Sequence, residues 1–143
     1  MSYNVRAMPV REGTIDSAGT AIHYLDWGGD GPPLILIHAT GFLAALWRPI
    51  AEQLAGRFRV VAPDQRGHGD SDKPPDGYRF EAFATDLQRL IEALELEGPL
   101  AAGHSSGGLS LSPWPRWSGA TTRNRPASSS AMGRQRAARK PVA

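Results

Sequence analysis

The residues best suited to chemistry are Gly103-His104-Ser105-Ser106-Gly107, a G-x-S-x-G pattern placed directly after the apolar stretch Leu100-Ala101-Ala102. A serine hydroxyl becomes a useful nucleophile only when it is exposed, aimed and supplied with a base. Glycines on both sides allow a turn tight enough to expose and aim it. A β-carbon on Gly103 or Gly107 would collide with the neighbouring turn, so the pattern predicts a sharp strand-to-helix junction with Ser105 at a strained backbone angle. The N–H of Ser106 would then open the following helix and face the position where an oxyanion forms. The same pentapeptide also suits an ordinary Gly/Ser-rich loop, and the surrounding elements have to decide between the two.

Those elements can be read in order. Residues 10–27 predict a hairpin turning at Ser17-Ala18-Gly19, with Ile22, Tyr24 and Asp26 on one face of its second strand and Ala21, His23 and Leu25 on the other. This makes His23 a half-exposed strand residue, remote from any acidic motif. Leu34-Ile35-Leu36-Ile37 is an unbroken apolar run of the kind found in parallel strands covered on both faces, and His38-Ala39-Thr40-Gly41-Phe42 leaves its carboxyl end, where open α/β sheets build their sites. Trp47, Ile50 and Leu54 recur at helical spacing with Pro49 in the first turn. Arg57 to Asp64 is a second parallel-type strand, and Gln65 to Pro75 is too polar and too rich in Gly and Pro to be other than a loop. Phe80, Phe83, Ala84, Leu87, Leu90, Ile91 and Leu94 then define a helix over about 80–96, with Glu81, Asp86, Gln88, Arg89, Glu92 and Glu95 facing outward. Strand, helix, strand, helix, strand after a hairpin predicts an α/β fold: a mostly parallel sheet with an N-terminal antiparallel hairpin and flanking helices.

Composition narrows the classes. The 143 residues suffice for one domain of ordinary size. The net charge of +2 averages two unlike parts: residues 1–108 carry nine basic and fourteen acidic side chains, residues 109–143 seven basic and none acidic. Without cysteine there is no disulfide, no thiolate metal site and no cysteine nucleophile. The four histidines are scattered singly, so no metal-ligand spacing is present and no metal or cofactor is expected. No apolar run reaches signal-peptide or membrane-spanning length, which points to a soluble, cytoplasmic chain without a membrane partner.

Three motifs, in this order, carry a resemblance: His38 to Phe42, Asp64-Gln65-Arg66-Gly67-His68-Gly69-Asp70-Ser71-Asp72, and Gly103 to Gly108. Together they resemble the amino-terminal half of the α/β-hydrolase superfamily, in its branch of esterases, lipases, C–C hydrolases, peroxidases and aminopeptidases. The resemblance covers residues 10–108, a partial α/β-hydrolase domain. It implies that Ser105 is the nucleophile and that the N–H groups of Ser106 and Thr40 form the oxyanion hole, although Ala39 stands where the family usually has glycine. A serine at the turn sets the chain apart from relatives that dehalogenate or open epoxides, which carry aspartate there. In the same pattern His38, His68 and His104 order loops or pack beside the turn. Asp64 anchors a loop by bonding to backbone or to Arg66, and Gly67 and Gly69 shape that loop.

The pattern stops at Gly108. Pro113 and Pro115 follow within a few residues, and a proline inside a helix costs about 3 kcal/mol or more. Residues 109–143 form a basic Ser/Arg/Ala/Pro-rich tail without periodicity, expected to be disordered, and the compositional break there resembles a reading-frame shift. A serine hydrolase of this kind needs an acid and a histidine further along, and the tail has neither. The expected function is therefore hydrolysis of a small ester or acyl substrate, with this chain incomplete and inactive. The alternatives are, in order, a chain active through an unrecognised base, a non-catalytic module that self-associates through a bare sheet edge, and nonspecific nucleic-acid binding by Arg134 to Lys140, the reading with the least support.

Overall fold

Two strands, β1 (Arg11–Ser17) and β2 (Thr20–Gly28), open the computed structural model, which describes residues 9–111 and 132–134. They are joined by Ala18 and Gly19, both at positive φ (50° and 87°), the geometry whose twist suits a two-residue hairpin loop. Their register runs without a slip from Arg11 opposite Asp26 to Ser17 opposite Thr20. β3 (Pro33–Ile37), β4 (Arg59–Pro63) and β5 (Leu100–Gly103) follow, with a short β6 (Met132–Arg134). The sheet order is β1-β2-β4-β3-β5-β6. β3 pairs in parallel with both β4 and β5, whereas β2 meets β4 antiparallel.

Alternation along the strands divides the core between the two faces. Ile35, Ile37, Val61 and Ile22 pack with Leu87, Leu90 and Ile91 of α2 (Phe80–Ala93). Leu34, Leu36, Val60, Ala62 and Trp27 pack on the other face with Ala44 of a 3₁₀ turn (Ala44–Trp47) and with Ala51 and Ala55 of α1 (Arg48–Leu54) and its end. Burying each aliphatic side chain of β3 contributes about 1.5–3 kcal/mol, so the unbroken apolar run dictates a strand covered on both sides. The predicted α/β architecture is what is found. The helices differ in detail. Ile50 and Phe80 are exposed, because small alanines let α1 approach the sheet and because α2 turns its first residue away. Asp86, expected to face solvent, is buried.

The edge of β5 expected to be bare is paired with β6, Leu100 opposite Arg134 and Ala102 opposite Met132. Apart from residues 109–111 and 132–134, the basic tail, with Trp114, Trp117 and most of the run to Lys140, lies outside the described residues. No helix among the described residues is long and apolar enough to cross a membrane.

Candidate active site

Ser105 sits between β5 and α3 (Ser106–Leu109) at φ 52° and ψ −117°, a conformation that residues with a β-carbon rarely adopt. The glycines on either side are required by close approach. A β-carbon on Gly103 would fall inside contact distance of the backbone of Gly107 and Gly108. On Gly107 it would lie 2.7 Å from the His38 carbonyl oxygen and closer still to that of Ile37. The second clash is thus with the end of β3 and not with the turn itself. β5 is pressed onto β3 by parallel pairing up to Ile37 opposite Gly103, continued by the His104 N–H donating to the Ile37 carbonyl at 3.0 Å. This contact leaves Ser105 exposed, with no hydrogen bond to its hydroxyl among the described residues.

The loop after β3 meets the turn from the other side. The Thr40 N–H donates to the Ser106 hydroxyl at 2.7 Å, and the two hydroxyls lie 3.0 Å apart. The Gly41 N–H donates to His68 Nε2 at 3.0 Å, which fixes a proton on Nδ1 for the Arg66 carbonyl. His38 accepts the Gln65 N–H at Nε2 (2.9 Å) and donates from Nδ1 to the Ala39 carbonyl. Burial holds its pKa below the ordinary imidazole value despite that backbone bond. His38 and His68 therefore order the loops, as expected. His104 is exposed and meets Phe42 edge-on. The family resemblance implied that Thr40 and Ser106 lie together, but nothing in the residue pattern indicated that the Ser106 side chain takes the Thr40 N–H.

Asp64 is a loop anchor, though not through Arg66. Its carboxylate accepts from the N–H of Ala44 (2.8 Å) and of Asp70 (3.2 Å) and from His23 Nδ1 (2.9 Å). Burial opposes its charge, but the two backbone donors and His23 outweigh it and hold its pKa below the usual value. Gly69 lies against this carboxylate at φ 52°, where a β-carbon would not fit, and Gly67 lies likewise against Tyr78. His23 is buried, contrary to the expectation of half exposure, because the register of β2 on β4 brings it beside Asp64, while Nε2 meets Glu12 at 3.0 Å. Burial works against the imidazolium, yet the bonds to Asp64 and Glu12 raise its pKa. His23, Asp64 and Asp70 offer ligand-type atoms within 4.8 Å of one another. Both nitrogens of His23 are already committed to carboxylates.

Arg66 instead reaches Asp86, Nε to Oδ2 and Nη2 to Oδ1 both at 2.7 Å, with the Ser17 hydroxyl donating to Oδ1 at 2.6 Å. The hydrogen bonds and charge of Asp86 outweigh burial and raise the Arg66 pKa, so its charge is permanent. This network ties β1, the loop after β4 and α2 together behind the site.

A strained serine thus stands at the end of β5, facing the loop that leaves the neighbouring β3. The sequence pattern of the family described as alpha/beta hydrolase fold matches residues 32–111, and the chain belongs to that family. It is 41% identical over 99 residues to a non-heme chloroperoxidase of Streptomyces lividans, covering 67% of this chain and 36% of that protein. It is 39% identical over 90 residues to a soluble epoxide hydrolase of Corynebacterium sp. (strain C12), covering 63% of this chain and 31% of the other. The crystal structure of E-2-(acetamidomethylene)succinate hydrolase matches with a TM-score of 0.67 at 31% identity, over 71% of this chain and 38% of that one. The chain thus spans about a third of the length of these relatives.

Proposed function

We propose that these residues form the nucleophile and oxyanion half of a serine hydrolase acting on small esters or related acyl compounds. The observation that carries the proposal is the conformation of Ser105, exposed at φ 52° and ψ −117° between two glycines that admit no β-carbon. Strain at a non-glycine residue persists only where the surroundings enforce it, and here they hold a hydroxyl out toward solvent. Ser105 Oγ would bond to the acyl carbon while the carbonyl π electrons move onto oxygen. Collapse would expel the alcohol and leave an acyl-serine for water to cleave.

The Ser105 proton needs an acceptor. Three of the four histidines have ring nitrogens engaged elsewhere, His23 by carboxylates, His38 and His68 by loop backbone. His104 packs on Phe42, and no histidine among the described residues is bonded to Ser105. None of the four histidines is therefore placed as a general base for Ser105, and removal of the base costs about 10⁶ in kcat in a well-studied triad. A fluorophosphonate probe tests the assignment: Oγ bonds to phosphorus, fluoride leaves and the proton passes to water. Slow labelling confined to the Ser105 peptide and absent from Ser105→Ala is expected. Label spread over other serines, or unaffected by the substitution, overturns it. Turnover of a nitrophenyl ester at ordinary enzyme rates would overturn the missing base.

A further inference from the structure

Resting on that reading of Ser105 and its oxyanion hole, we infer that the Ser106 side chain occupies the oxyanion position and acts as a built-in competitor of the substrate. An oxyanion-hole donor lies 2.7–3.1 Å from the oxygen it stabilises. The Thr40 N–H has an acceptor at 2.7 Å already, the Ser106 hydroxyl oxygen.

The surroundings hold the arrangement in place. An amide hydrogen makes one strong bond along one direction, so the Ser106 oxygen and a carbonyl oxygen cannot both be served by the Thr40 N–H. The loop cannot swivel to offer a neighbouring amide instead. The Gly41 N–H is bound to His68, the Phe42 N–H to the Ala39 carbonyl at 3.0 Å, and the Ala44 N–H to Asp64. Thr40 Oγ1 adds a second contact to the Ser106 hydroxyl at 3.0 Å. The backbone N–H of Ser106 has no acceptor among the described residues. The hole is therefore half open, with one N–H free for an oxyanion and the other released only when the Ser106 side chain rotates away.

Rotation exchanges one hydrogen bond for another, which makes Ser106 a positioning residue with an effect of modest size. Removing its hydroxyl should strengthen binding of an oxyanion mimic by about three- to tenfold, the range set by a net hydrogen bond. Were the hydroxyl to turn and donate to the oxyanion, the same substitution would weaken binding.

Phenylboronic acid is the probe. Its boron takes a bond from Ser105 Oγ, the serine proton leaves to water, and the tetrahedral anion places one oxygen in the hole. Titration of the ¹⁵N-labelled full chain, followed by the amide resonances of residues 40–42 and 105–107, gives the affinity. Amide exchange at Thr40 in the free chain gives a second reading. Ser106→Ala should bind more tightly than the parent and exchange its Thr40 amide faster. Thr40→Val, which keeps the N–H and removes the second contact, should shift both in the same direction by less. Equal, weaker or absent boronate binding by Ser106→Ala, or Thr40 exchange that does not change, overturns the inference. Ser105→Ala separates the two levels: binding that survives it overturns the nucleophile assignment, whereas binding lost there and unmoved by Ser106→Ala overturns only the role of Ser106.

Discussion

Asp86→Ala is the perturbation whose outcome the structure fixes most tightly. Asp86 is 5% exposed and its partners Arg66 and Ser17 are 9% and 1% exposed, so water can replace little of what is removed. Two guanidinium bonds at 2.7 Å and one hydroxyl bond at 2.6 Å vanish together. What remains is a buried charge whose one acceptor among the described residues is the Gly77 carbonyl, 2.9 Å from Nη1. Breaking such a pair by deleting one partner costs about 3–5 kcal/mol, a large share of the 5–15 kcal/mol typical of a domain. Replacing both members by apolar residues of similar size removes the stranded charge, so Arg66→Met with Asp86→Leu should lose clearly less than the single substitutions add up to. Urea unfolding of the full chain, run as a double-mutant cycle, measures this. A loss below about 1 kcal/mol for Asp86→Ala, well under the expected range, or additivity across the cycle, would show that the network is not what holds the loop after β4.

Other consequences follow from the same geometry. The folded pKa of His23 lies above its ordinary 6.5, so the stability it adds is complete below that pH and is lost as pH rises through the raised value. Asp64, depressed from 3.8, adds stability above that value and loses it as pH falls through its lower folded pKa. Urea midpoints across pH should therefore decline on both sides, and His23→Gln should flatten the alkaline decline; an unchanged alkaline slope would refute the pairing. Gly107→Ala should cost at least about 3 kcal/mol, the upper end of overpacking, and abolish labelling of Ser105. Gly56→Ala, where a β-carbon meets nothing within 4 Å, should change stability by no more than about 1 kcal/mol.

What could be read in advance depended on whether the signal was local. The turn at Ser105, the hairpin and the doubly covered β3 are written in contiguous residues, and each is where it was expected. Asp86 shows a different limit. It stands three residues after Phe83 and four before Leu90, on the buried stripe by spacing, and its charge argued it outward; the partner that reverses the argument, Arg66, comes from a loop 20 positions away. His23 needed the register between β2 and β4, which no local pattern states. The Ser106 hydroxyl needed the approach of the β3 loop to within 2.7 Å, and residue types alone are silent about that.

The order β4-β3-β5 also sets a timetable for synthesis. Once β4 has left the ribosome β3 can pair on one side only, and its other edge, a row of unpaired N–H and C=O groups, stays open until β5 emerges about 40 residues later. At roughly 5–20 residues per second that interval lasts about 2–8 s. During it the nascent chain displays an adhesive strand edge, so aids to nascent-chain folding should matter most at this stage.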